Sequence, residues 1–292
     1  MKSIRFLIVA AMFVCLTAAA QRNAVGNIAD SSSIKIALNF YSFNAPLSEG
    51  GETMESVIDY AASIGYAALD ITGYYFSSYP SAPSDDEIFR IKRRAFRRGI
   101  QICGTGVRND FTVADPAALE KEKQHVKDWI IVAAKLGAST LRIFAGQGVP
   151  NGSTWEETAR RVAGAIDECA GVAAAHGITI AVQNHNDFLK TAGDVERLFS
   201  LIGSEAVGLM LDIGSYRSDP YREIEQTIGY AVTWQVKETV FINGVETKTD
   251  LQRVMDIIGR NGYCGYVPVE IIGKGNERER VKRMLLEMKA AG

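Results

Sequence analysis

ITIAVQNH (Ile178–His185), VGLMLDIGS (Val207–Ser215), AVTWQVKE (Ala231–Glu238) and YVPVEII (Tyr266–Ile272) are four apolar runs that each finish in polar side chains. Their length is that of buried strands. Gln183, Asp212, Gln235, Lys237 and Glu270 therefore fall at one end of successive core strands. A polar side chain buried there without a partner costs several kcal/mol, so these groups must face a cavity or one another. Four such endings in succession predict a shared site.

The alternation extends outward in both directions. Strands are expected at Ile34–Phe43, Tyr66–Thr72, Gln101–Val107, Thr140–Ala145, Ile178–Asn184, Val207–Asp212, Thr233–Lys237 and Tyr266–Ile271. Helical periodicity lies between and after them, at Thr53–Ile64, Asp86–Arg98, Pro116–Leu136, Thr154–His176, Ala192–Ile202, Arg222–Tyr230, Asp250–Asn261 and Glu277–Lys289. Gly65, Gly99, Gly137 and Gly177 each stand between a helix and the next strand, where a left-handed residue closes a helix. Eight strands alternating with eight helices predict an α/β fold, a single-domain (β/α)8 TIM barrel over residues 34–292. A doubly wound open sheet is the alternative, but Asn39-Phe40-Tyr41-Ser42-Phe43 after the first strand lacks its usual G-x-G-x-x-G turn.

Residues 1–20 read as a secretory signal peptide: Lys2 and Arg5, an apolar stretch from Phe6 to Leu16, then Ala18-Ala19-Ala20. The apolar run is about half of what a bilayer span needs. Cys15 offers a lipoprotein alternative, against which Met12-Phe13-Val14 lacks a small residue before the cysteine. Residues 21–33 are polar and small and are expected to form a flexible lead-in. Export to the periplasm or outside the cell is the expected localisation. Loss of Lys2 and Arg5 takes the net charge from −2 to −4, which offers no footprint for nucleic acid. Cys103, Cys169 and Cys264 are widely spaced and read as small core residues, not as a disulfide framework or a zinc site.

In a barrel the site lies at the C-terminal ends of the strands. That rule sets aside His125 and His176, which fall on helices, and keeps His185. Gln183 and His185 share a strand face, as do Gln235 and Lys237. Asp212 follows a run of apolar residues, with an N-cap as its ordinary alternative. Glu270 has apolar neighbours on both sides, and burial of that kind raises a carboxyl pKa. Lys237 reads either as a functional cation or as an ion-pair partner of Glu238 or Glu270. Asn39, Tyr41, Asp70, Arg108, Arg142 and Asn184 are expected substrate contacts at other strand ends, near Tyr74 and Asn109. Tyr41, Phe43, Tyr74, Tyr75 and Phe76 add aromatic surface suited to the C–H faces of a sugar, or alternatively to a homo-oligomer contact.

Over nearly all of residues 34–290, and most strongly from Ile178 to Gly273, the chain resembles the sugar phosphate isomerase/epimerase superfamily, the xylose isomerase-like or AP endonuclease family 2 barrels. The resemblance implies metal ligands at a strand-five Glu in a run like E-N-H, an Asp in L-D-x-G, a His in H-x-K and a strand-eight Glu. These positions fall on Gln183 in Gln183-Asn184-His185, on Asp212 in Leu211-Asp212-Ile213-Gly214, on Gln235 in Gln235-Val236-Lys237, and on Glu270. A divalent metal, Mn2+ or Mg2+, is thus implied, with two amides where the family has a carboxylate and an imidazole. Amide oxygens are hard donors able to coordinate such ions. They cannot move protons, so Gln183 removes one of the two bases that the family's epimerases use.

These residues lead us to expect an exported isomerase or epimerase-like enzyme acting on a free sugar, keto-sugar or glycoside. Its step is proton abstraction next to a carbonyl, with β-elimination as a further outcome. Glu270 is the expected base, with Lys237 and His185 as catalytic partners. The alternative is a sugar-binding barrel that has lost its metal site and its turnover. A nuclease would need a cluster of histidines and carboxylates holding several metals.

Overall fold

The computed structural model describes residues 34–292; the expected signal peptide and lead-in lie outside the described residues. The strands are β1 (Lys35–Asn39), β2 (Ala68–Thr72), β3 (Gln101–Gly106), β4 (Thr140–Phe144), β5 (Thr179–Gln183), β6 (Val207–Asp212), β7 (Ala231–Lys237), β8 (Thr239–Ile242), β9 (Val245–Lys248) and β10 (Tyr266–Glu270). The helices are α1 (Asn44–Ser48), α2 (Met54–Ile64), α3 (Asp85–Arg97), α4 (Pro116–Leu136), α5 (Trp155–Ala175), α6 (Ala192–Phe199), α7 (Pro220–Thr227), α8 (Leu251–Arg260) and α9 (Glu277–Ala291). Eight of the strands close a parallel barrel in the order β1-β10-β7-β6-β5-β4-β3-β2. The expected TIM barrel is the fold.

Local chemistry sets the boundaries. Thr53, Thr154 and Thr191 each cap a helix reciprocally with the residue three positions on, Ser56, Glu157 and Asp194. Asp115 and Asp219 cap helices whose first residue is a proline, preset for that place. Gly65 and Gly137 end α2 and α4 with φ of 92° and 80°, values that cost other residues strain.

Two expectations about the chain path change. Strand one stops at Asn39, because the Asn39 side chain accepts the Tyr41 amide and turns Phe40–Phe43 into a 3-10 helix. Residues 239–248, where the sequence reading places no element, form the antiparallel pair β8–β9. Asn243 and Gly244 carry φ of 50° and 77°, the positive values that a two-residue hairpin turn demands.

Alternation within each strand divides the barrel into two surfaces. Leu38, Leu69, Ile71, Leu141, Val182, Leu211 and Val269 are fully buried against the helices. The opposite face lines the interior. Near the N-terminal ends it is small and apolar, where Ala37, Ala68 and Cys103 pack with Tyr266. Towards the C-terminal ends it becomes polar, and the site begins there. Cys169 is buried as expected, whereas Cys264 is exposed.

β6 and β7 fit together through a bulge. Leu209 pairs with Ala231 and Met210 with Thr233, so Val232 has no partner of its own and fills the space beside Gly208. A Cβ at position 208 would collide with the Val232 side chain. Gly208→Ala is expected to lower the unfolding free energy by about 1–3 kcal/mol through overpacking. Val232→Ala in the same chain should recover part of that loss in urea denaturation, whereas strictly additive effects would refute the contact.

Candidate functional site

β5, β6, β7 and β10 bring Gln183, Asp212, Gln235, Lys237 and Glu270 to one place. The strand register sets Asp212 beside Gln235 and Glu270 beside Lys237. Asp212 is the centre and is fully buried. Its Oδ2 accepts from Gln183 Nε2 at 2.9 Å, Ser215 Oγ at 2.9 Å and Lys237 Nζ at 2.8 Å. Its Oδ1 accepts the Gly214 amide at 2.9 Å, so Asp212 also performs the capping task open to it in the sequence. Lys237 Nζ lies 3.3 Å from Glu270 Oε2, and one ammonium thereby joins two carboxylates. Of the two ion-pair partners open to Lys237, Glu270 is the one engaged. Glu238 is held by Arg280 and Arg283 instead.

Burial and charge work against each other here. Burial pushes the Glu270 carboxyl above its ordinary range; Lys237 draws it back and Asp212 raises it further. For Lys237, burial disfavours the ammonium, but Asp212 and Glu270 outweigh that and hold its pKa above the usual lysine value. Lys237 is consequently a fixed cation at neutral pH.

Gln183, Asp212, Gln235 and Glu270 occupy the four positions where the resemblance implies ligands of a divalent ion. They converge, but their lone pairs do not. The Gln183 amide turns its nitrogen to both Asp212 Oδ2 and Gln235 Oε1, the latter at 2.6 Å. The Asp212 oxygens have four donors between them, one a cation. Among the described residues, no group of three His, Cys, Asp or Glu side chains is placed to hold a metal. This donor set does not fit Mn2+ or Mg2+.

A second cluster fills the other side of the interior. Asn39 Nδ2 donates to Asp70 Oδ2 at 2.7 Å. Burial pushes the Asp70 carboxyl up, and Arg142 and Asn39 oppose it. Arg142 is buried, donates to the Val107 carbonyl at 2.6 Å and to the Tyr74 hydroxyl at 3.1 Å, and lies 4.5 Å above the Phe144 ring. Gly106 makes room for it: a Cβ there would stand 2.7 Å from Arg142 Nε. The exposed Arg108 lies 5.8 Å from the same ring, and His185 meets it edge-on at 4.8 Å. His185 stands at the rim with its side chain 39% exposed and Nδ1 3.1 Å from Asp187 Oδ2.

Other expected contacts are spent within the fold. Asn184 is fully buried; Nδ2 donates to the Asp212 carbonyl at 3.0 Å and Oδ1 accepts the Asp212 amide at 2.8 Å. It therefore clips β5 to β6 and does not face the mouth. Tyr41, Tyr74 and Tyr75 are half-buried, with Tyr41 and Tyr74 edge to face at 6.4 Å. Phe43 and Phe76, expected beside them, are core residues packed on Tyr60 and Trp129. Ser215 and Phe144 went unnoticed in the sequence. Ser215 was legible as the third residue after Asp212, the reach of a short polar turn; Phe144, one more apolar residue ending an apolar strand, carried no signal.

Several solved barrels are similar to this one. D-psicose 3-epimerase with D-tagatose from Clostridium cellulolyticum H10 is 16% identical, covering 88% of this chain and 99% of that one, with a TM-score of 0.71. 3-keto-D-glucoside 4-epimerase from E. coli is 13% identical, with coverage of 88% and 99% and a TM-score of 0.71. A probable 3-DHS dehydratase from Bacillus anthracis is 14% identical, with coverage of 88% and 98% and a TM-score of 0.69. At such identities the likeness is one of fold. No curated protein matches the sequence. The family described as xylose isomerase-like TIM barrel matches residues 58–290, nearly the whole barrel. The chain belongs to that family, as its strand-end motifs imply.

Proposed function

We propose that this barrel is an isomerase or epimerase-like enzyme acting on a free sugar, keto-sugar or glycoside, with Glu270 as its base. The observation that carries the reading is the pairing of Glu270 with a fixed cation, Lys237, at the end of adjacent barrel strands. A carboxyl raised by burial is a better base than one in water, and a cation beside it can receive the charge that develops. In the proposed step, the C–H bond next to the substrate carbonyl breaks. Its proton goes to Glu270, the electron pair forms the enediolate double bond, and the carbonyl oxygen takes up the negative charge. Lys237 Nζ hydrogen-bonds that oxygen; Glu270 then returns the proton to the former carbonyl carbon while the hydroxyl proton of the adjacent carbon passes to the charged oxygen, so that carbonyl and hydroxyl exchange places.

Relatives of this fold that act on psicose and on 3-keto-glucosides support a carbohydrate substrate. Tyr41 and Tyr74 supply an apolar wall for its C–H face, while His185 and Arg108 stand at the rim for its hydroxyls. The leader read from residues 1–20 supports export. Export in turn favours an unphosphorylated sugar, because sugar phosphates are kept in the cytoplasm. Gln183 stands where the family resemblance implies a second base, so the chemistry assigned here uses one base. The exchange of two ligand positions for amides also supports a second reading, a sugar-binding barrel without turnover. None of the described helices is long and apolar enough to cross a membrane.

Glu270→Gln is expected to abolish exchange of the substrate C–H with D2O, followed by proton NMR across a panel of keto-sugars; undiminished exchange would remove Glu270 from the base role. Binding of a sugar by the unaltered protein with no exchange of any C–H would favour the second reading. Tyr74→Ala is expected to raise KM roughly tenfold, equivalent to about 1.4 kcal/mol of lost contact, with little change in kcat. An unchanged KM would place the sugar elsewhere.

A further inference from the structure

We propose that Lys237 is the resident cation of this site, standing in the place where the family resemblance puts a divalent metal, and that the protein works without one. The proposal deepens the proton-abstraction reading and rests on it for the chemistry, although metal uptake can be measured independently of any turnover.

Three features of the site carry it. The first is position: Lys237 Nζ bonds Asp212 at 2.8 Å and Glu270 at 3.3 Å, the two carboxylates among the four implied ligands. An ion bound between those carboxylates would have to share their space with an ammonium, and like charges there repel strongly. The second is the seat made for the lysine. A Cβ at Gly214 would lie 2.6 Å from Lys237 Cδ, although Gly214 has no left-handed φ to explain its presence. From the other side, Thr249 Oγ1 donates to the Lys237 carbonyl at 2.7 Å, tying β7 to the segment that follows the β8–β9 hairpin. Gly214 thus leaves room for the Lys237 side chain, and Thr249 holds its backbone.

The third feature is charge. The family frame implies three carboxylates, a divalent ion and the lysine of its H-x-K run. Here the amide of Gln183 stands where the third carboxylate is implied, so Lys237 alone brings Asp212 and Glu270 to one net negative charge. A site with one carboxylate fewer needs less positive charge to hold it than the full frame does. Gln235 completes the set, since its oxygen accepts the second hydrogen of Gln183 Nε2 instead of offering an imidazole to a metal. What the substrate oxygen meets in such a site is a hydrogen-bond donor with a full positive charge, the same electrostatic service that a metal supplies.

The test is a titration of the purified full-length protein with Mn2+, reading the free-ion EPR signal, alongside thermal unfolding in EDTA and in Mn2+. The expected result is a free-ion signal as strong as in buffer alone and a melting temperature that neither reagent moves. Exchange of the sugar C–H with D2O should survive EDTA undiminished. Stoichiometric loss of the free Mn2+ signal, or exchange that falls with EDTA and returns with Mn2+, would overturn the proposal. If no sugar exchanges under any condition, the proton-abstraction reading fails while the titration still decides which cation the site holds. The triple variant Gln183→Glu, Gln235→His, Lys237→Met is expected to take up one Mn2+ per chain; should it not fold, the result with the unaltered protein stands as the deciding measurement.

Discussion

Asp212 and Glu270 are buried at the ends of β6 and β10, and the Lys237 ammonium between them lets both persist there. Two carboxylates brought this close in a medium poorer than water at screening charge would repel, and one would take up a proton. Lys237 sets one positive charge against both carboxylates at once. The arrangement is costly to disturb, since removing one partner of a buried pair leaves a charge uncompensated, about 3–5 kcal/mol. Asp212 in turn organises its neighbours. Gln183, Ser215 and the Gly214 amide all donate to its carboxylate, and Asn184 grips its backbone. The mouth of the barrel is therefore a single network, not a row of independent strand ends.

The rest of the interior is shaped to accept polar side chains of this size. A barrel lined only with branched apolar residues fills its own centre. Here Gly104 lies against Asp70 and Gly106 against Arg142, so that two charged side chains occupy the volume released by two missing ones. Gly208 does the same for Val232 at the β6–β7 bulge. The stability of the fold comes mainly from the layer between strands and helices, where Trp129 of α4 and Trp234 of β7 are fully buried, and the interior is left free for chemistry. That division explains how the chain tolerates Asp70, Arg142, Asp212 and Glu270 within one barrel.

Much of this was legible because strand periodicity is a local property. Val207–Asp212 and Pro116–Leu136 have in the structure the limits read from the sequence, and the polar strand ends do meet. The failures are instructive in the same terms. The β8–β9 hairpin was missed because its strands have four residues each and β9 is exposed throughout; the brief apolar run Val240–Ile242, directly behind the end of β7, and the Asn243-Gly244 turn were its only marks. Phe43 and Phe76 were placed at the mouth because a run of aromatics was read as one surface. The 3-10 turn at Phe40–Phe43 rotates Phe43 into the core while leaving Tyr41 half-exposed, and Phe76 turns inward onto Trp129. Partner choice was likewise beyond reach. Lys237 points into the barrel onto Asp212 and Glu270, while the adjacent Glu238 points away and meets Arg280 and Arg283 of α9, more than forty residues off in the chain.

The two glutamines make sense only as a pair. Gln183 can donate to Asp212 because it is an amide; a carboxylate in its place would bring a third negative charge to Asp212 with only one ammonium to offset three. Once Gln183 donates with one hydrogen to Asp212, its second hydrogen needs an acceptor in a site from which water is largely excluded, and the Gln235 oxygen lies 2.6 Å away. A neutral imidazole at position 235 could accept that hydrogen too, but its other ring nitrogen would bring a second donor or acceptor into a network whose lone pairs are already matched. The amide at 235 follows from the amide at 183, and the amide at 183 follows from there being one positive charge, that of Lys237, for the two carboxylates that remain.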